Sequence, residues 1–168
     1  MNAFVLQCGA IPTFTWLDGI SEGEQSIEEL VEVGRSTGVA AFNIIPDRNY
    51  TPGQVDQKLE NLNKVVKLTE DLGLPLLGGT EMNSPGQKFV DNFSSAELSP
   101  HHNVFLRGSW ILHAHSTLQR YARMGYLSEW AKNQFTDVKS KNEFYSSFGE
   151  RFFIISAASS SPSNIIKI

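Results

Sequence analysis

Glu81 is the residue of this sequence best placed to do chemistry. It stands in LPLLGGTEMNSPGQKF (74–89). The apolar run at 74–77 has the length and bulk of a buried strand, and Gly78 and Gly79 mark a close backbone approach or a sharp turn. A carboxylate just past such a strand can ligate a divalent metal or act as a general base. A loop carboxylate near a helix N-terminus is the competing reading, because it is favourable without any ligand. Asp47 and Arg48 follow the apolar stretch 39–45 in the same way. Asp47 is a candidate second ligand or base, and Arg48 a candidate clamp for a phosphate or carboxylate. An Asp47–Arg48 pair that only fixes the loop is the alternative. Asn43 and Asn83 add amides suited to orienting a polar ligand.

His113 and His115 form an H-x-H. On a strand, residues two apart share a face and can hold one metal; on a helix they diverge by about 200° and cannot. Residues 109–124 drift toward helical periodicity, which favours the second case. His101 and His102 are adjacent in a polar stretch after Pro100 and read as surface loop. Trp16, Trp110 and Trp130 read as packing anchors, and Cys8 has no basic neighbour to activate it.

These residues need strands and helices to position them. Residues 4–6 are a candidate first strand, followed by an aromatic loop, 13–18, that ends at Asp18-Gly19. Ser26 and Glu29 suggest a capping box, and Ile27, Leu30, Val31 and Gly34 keep helical spacing up to Gly38. Residues 39–45 form the second strand. Val55, Leu59, Leu62, Val65, Val66 and Leu72 line one side of an amphipathic helix over 54–72, which Gly73 stops. The third strand is 74–77, and Ser84-Pro85 is a helix start running toward Phe93. The order β-α-β-α-β-α over 4–93 requires parallel strands, so that Thr13 to Asp18, Asp47 to Asn49 and Glu81 to Asn83 meet at one rim of the sheet. Beyond a linker-like 94–100, short helices are expected over 118–124, 128–134 and 139–148, the last closed by Gly149. The reading is one α/β domain over 1–150, comprising a core at 4–93 and a helical region at 94–150. Residues 151–168 form a partly disordered tail, Ser-rich toward its end.

With 168 residues the chain is long enough for a real core, and its formal net charge of −4 without a basic stripe argues against nucleic acid as partner. A single cysteine excludes an internal disulfide and a cysteine zinc knuckle and fits a cytoplasmic setting. The first residues lack a basic n-region, and no apolar run approaches the roughly 20 residues of a membrane helix.

FNIIPDRN (42–49), a long helix, and then LPLLGGTEMNSPGQKFVDNF (74–93) resemble part of the distorted (β/α) barrel of PHP-type metal-dependent hydrolases, which cleave phosphoesters. The resemblance implies that Glu81, in GGTEMN, is a ligand of a divalent metal (Zn, Mn or Mg). LHAHST, with His113 and His115, is similar to that family's H-x-H, although there it precedes the glutamate. The resemblance further implies a partial barrel lacking its first strands, whose open sheet edges are covered by C-terminal helices or by another chain, as in a homo-oligomer. The expectation is a phosphoesterase-type site for a small, phosphorylated substrate, with Asp47 and Arg48 catalytic, Asn43, Asn83 and Arg48 substrate-binding, and Glu81, Asp47, His113 and His115 around the metal, weakly active or inactive alone. A sugar-isomerase-like metal site and a non-catalytic module that acts through oligomerisation or partner binding are the alternatives.

Overall fold

A computed structural model of the chain describes residues 1–50, 53–83, 85 and 87–159. It divides into two compact units, Met1–Gly108 and Ser109–Ile168.

The first unit is a three-stranded parallel sheet with helices. The chain runs α1 (Asn2–Gln7), β1 (Thr13–Trp16), α2 (Glu22–Gln25), α3 (Ile27–Ser36), β2 (Ala41–Ile44), a 3₁₀ turn (Pro46–Asn49), α4 (Val55–Asp71) and β3 (Leu76–Gly78). A second 3₁₀ turn (Ser99–His101) leads into α5 (His102–Ala122), within which the boundary between the units falls. Sheet order is β1-β2-β3, with Thr13 opposite Ala41 and Phe42 opposite Leu76. The parallel pairing of β2 with β3 across α4 is as the sequence led us to expect.

The first strand is not where the apolar pattern suggested. Residues 4–6 lie in α1, and the strand is the segment read as an aromatic loop. A three-residue apolar run fits either state. Here α1 closes on Gly9, whose N–H bonds the Leu6 carbonyl while Ala10 N bonds Val5 O. Gly38 and Gly73 end α3 and α4 by the same pair of bonds, each with positive φ. The unit therefore repeats helix–glycine–strand three times. β1 itself alternates Thr-Phe-Thr-Trp: Thr13 and Thr15 are exposed, Phe14 is half-buried and Trp16 is buried.

The core lies between the sheet and its helices. Trp16, Phe42, Ile44 and Leu76 from the strands meet Val31 of α3, Leu62, Val65 and Val66 of α4, and Phe105 of α5. Each such side chain contributes about 1.5–3 kcal/mol by leaving water. Gly108 lies so close to the Leu76 backbone that a Cβ there would overlap its carbonyl.

Three further expectations are corrected. Ser26 makes no side-chain cap on α3. Among the described residues no helix follows Pro85; within 87–98 the Phe93 ring packs over Gly78, 2.9 Å from where a Cβ would stand. Ser84 lies outside the described residues, as do Thr51 and Pro52. The short helix expected over 118–124 is the end of a longer one, α5, which starts at His102 in the stretch read as surface loop and ends at Ala122.

The second unit holds the rest of α5, α6 (Glu129–Gln134) and α7 (Val138–Ser159). Ser128 caps α6 through Ala131 N. Ile111, Ala114 and Leu118 are the buried side of α5. Around Tyr145, an aromatic cluster joins Tyr126, Phe135 and Phe144, with Trp130 against the last two. Gly149 does not end the last helix. It lets α7 lie on the Trp110 backbone, where a Cβ would overlap the carbonyl, and the helix continues to Ser159. Residues 151–159 of the expected tail are therefore helical, and 160–168 lie outside the described residues.

Candidate functional site

The C-terminal ends of the three strands carry the polar groups of interest, and each is placed by its own connection. β2 runs into the 3₁₀ turn Pro46–Asn49, with Pro46 at its first position. Asn49 is fully buried and fastens this turn to the exit of β1, donating from Nδ2 to Leu17 O (3.1 Å) and Ile45 O (3.0 Å). At that exit Asp18 meets Lys58 of α4 at 3.4 Å, and Asn61 of α4 bonds the Asp18 and Gly19 carbonyls. After β3 the backbone crosses Gly79, where a Cβ would stand 2.6 Å from the Asn43 side chain. The two glycines thus mark close approaches, to Phe93 and to Asn43.

Arg48 does not pair with its neighbour Asp47. Its Nε (3.1 Å) and Nη2 (2.7 Å) both donate to Oε2 of Glu81. Glu81 accepts further bonds from Asn83 Nδ2 (2.6 Å, on Oε1) and Gln87 Nε2 (3.5 Å), while Gln87 Oε1 accepts from Asn83 N (2.7 Å). Arg48 is chiefly what holds the Glu81 carboxyl below the usual carboxylate range, first by its hydrogen bond and then by its charge, with Asn83 and Gln87 adding. The guanidinium is pushed up in turn by Glu81, then by the charges of Asp47 and Asp18. Of the carboxylates at the strand ends, Glu81 is the one bonded to this cation, while Asp18 pairs with Lys58.

Asp47 is buried, and its Oδ1 has no hydrogen-bond partner among the described residues. A buried carboxylate oxygen without a donor is costly unless something supplies one.

A second network lies alongside, in roles the sequence did not reveal. Asp91 is buried and accepts from Tyr50 Oη on Oδ1 and from Thr80 Oγ1 on Oδ2, both at 2.7 Å. It ties the loop after β3 to the turn after β2. Burial, and then the bond from Tyr50 to Asp91, raise the Tyr50 phenol well above its ordinary value. The Lys88 ammonium sits 5.1 Å from the Tyr50 ring centroid. Asp91 falls in a stretch read as the side of a helix, and nothing local distinguishes it from a solvated aspartate.

The histidines proposed as metal ligands belong to the second unit. Both are on α5, so they diverge by about 200° and do not present one face to an ion. His115 is buried and its Nδ1 accepts from Tyr126 N at 3.0 Å. The His113 ring packs against Phe152 and Phe153, with its Nε2 buried and unpartnered among the described residues.

Among the described residues no group of three or more His, Cys, Asp or Glu converges so as to hold a metal ion. The donors that fit a cation at the rim are the carboxylates of Glu81 and Asp47, a set that leaves most of an ion's coordination to water. Among the described residues no helix is long and apolar enough to cross a membrane. Set against family models, curated proteins and solved structures, the chain matches none.

Proposed function

We propose that the C-terminal rim of the sheet is the ligand site of a barrel arc of the metal-dependent hydrolase type. It takes a small phosphorylated molecule at Arg48 with a divalent cation at Glu81 and Asp47. The observation that carries this reading is the fork of Arg48 on Glu81 across two strand ends, in a turn where Asp47 keeps a buried oxygen without a donor among the described residues. Ligands of open α/β sheets bind at this end of the strands, and a sheet in sequential order is what an arc of a barrel has. Asn43 and Asn83 flank the site, one against Gly79 and the other on Glu81. When bound, the cation would supply Lewis acidity and an activated water.

The site binds and turns over little by itself. Water activation takes about three protein ligands and an open position, and the rim offers two carboxylates. The test is an assay with chromogenic phosphomono- and diesters, with Mn²⁺ or Zn²⁺ added, beside a calorimetric Mn²⁺ titration of wild type and Glu81→Gln. Weak Mn²⁺ binding that Glu81→Gln removes, with little turnover, is the expected result. Equal Mn²⁺ affinity in both proteins removes Glu81 from the site.

The outer edge of β1 favours a second reading, association with another chain. No further strand pairs there among the described residues, and its exposed Thr13 and Thr15 carry none of the charge that blunts natural edges. Sedimentation at rising concentration tests this: a homo-oligomer appears, or the chain stays a monomer and the reading is dropped.

A further inference from the structure

We infer that Arg48 and Glu81 form a resting lock that makes anion binding and cation binding at the rim mutually dependent; this rests on the reading of the rim as a cation-and-phosphoryl site.

The argument starts from the bonding of Glu81. Oε2 accepts from Arg48 twice and faces Gln87 at 3.5 Å, while Oε1 accepts from Asn83 at 2.6 Å. With four donors around it, the carboxylate has most of its lone-pair sites engaged. A cation approaching Glu81 also meets the positive guanidinium, so capture of the cation alone must first expel Arg48. An oxyanion approaching Arg48 alone has the mirror problem: the Nε–Nη2 fork it needs is already on the Glu81 carboxylate, whose charge repels it.

Both obstacles vanish together. A tetrahedral oxyanion matches the fork of Arg48 bidentately. Once the guanidinium turns to the anion, Oε2 of Glu81 loses its two strongest donors and becomes available to a cation. The Glu81 carboxylate then lacks the charge that balanced it, which favours a cation further. By linkage the cation must raise the anion's affinity by the same factor. The lock would thus keep the rim closed to a bare metal ion or a bare phosphate and open it to the two together.

The experiment is calorimetric titration of Mn²⁺ into the full chain in chloride and in sulfate of equal ionic strength, with sulfate as the probe oxyanion. Circular dichroism checks that each variant is folded. In wild type, sulfate is expected to tighten Mn²⁺ binding about 5- to 50-fold, within the usual range of coupling between sites. Arg48→Gln has no lock. It should bind Mn²⁺ in chloride more tightly than wild type does and show no response to sulfate. Glu81→Gln should lose Mn²⁺ binding in both salts. Wild-type Mn²⁺ affinity that is equal in chloride and sulfate overturns the lock and leaves the rim reading standing. If neither wild type nor Arg48→Gln binds Mn²⁺ in either salt, the rim reading fails and the lock with it.

Discussion

Two groups of side chains in this chain are the candidates for a functional site that its residue types suggest, and their surroundings are opposite. Glu81 and Arg48 stand on connections that leave parallel strands, partly open to water and bonded only to polar groups. His113 and His115 stand on a helix, one against two phenylalanine rings and the other buried with its Nδ1 bonded to a backbone N–H. The residue types alone would rank the histidines at least as high. What separates the groups is the backbone beneath them. Strand ends aim successive connections at one rim, whereas a helix turns residues two apart to different sides. The rim groups are bonded to one another at a partly open surface, and the histidine segment is packed.

The comparison breaks if the histidines serve the rim, or if the rim carries the fold. The largest effect is expected from His115→Ala. It deletes a buried ring and leaves Tyr126 N without its acceptor, so chemical denaturation should show a loss of about 2–4 kcal/mol. Mn²⁺ affinity of the folded protein should not change; a drop in affinity at constant stability would place this histidine in a metal site.

Tyr50→Phe tests the network that backs the rim. It removes the donor to a buried oxygen of Asp91 and should cost about 1–2 kcal/mol by the same denaturation measurement. Stability unchanged to within a few tenths would show that Asp91 finds another donor.

His113→Phe should be nearly neutral or stabilise by about 0.5–1 kcal/mol. It replaces a ring bearing a buried, unpartnered nitrogen with one that fits between aromatic neighbours. Clear destabilisation would mean that Nε2 has a partner after all.

The smallest effect concerns pH. Arg48 holds the Glu81 carboxyl below its usual range, so the folded state favours the ionised form. The contribution is present above the ordinary carboxylate value, about 4.3, and is lost as pH falls through the depressed folded value. The difference in melting temperature between wild type and Glu81→Gln should therefore be slight at neutral pH, shrink further with added salt, and close as the medium turns strongly acid. A difference that grows on acidification would contradict the ion pair.

Much of the first unit was legible in the sequence. β2, α4 and β3 could be read because a long apolar stripe, a glycine stop and an apolar run state their periods over many residues. Gly78 and Gly79 were legible as a close approach or a sharp turn, and the structure shows the first, to Phe93 and Asn43. α1 was read as a strand and β1 as a loop, because each offers too few residues to show a period. The fold-back of residues 87–98 was invisible, since it depends on Phe93 reaching Gly78 and on Asp91 bonding Tyr50, 41 residues away in sequence.

By itself the sequence determined which residues would sit past β2 and β3: Asp47, Arg48 and Glu81 follow from local pattern, because strands and amphipathic helices are set by near neighbours. Only the tertiary structure decided who pairs with whom. Arg48 passes over the adjacent Asp47 for Glu81, 33 residues away. The reason is geometric: residues 46–49 form a 3₁₀ turn, in which consecutive side chains leave the axis about 120° apart. Asp47 keeps one oxygen buried, and Arg48 reaches the connection that leaves β3.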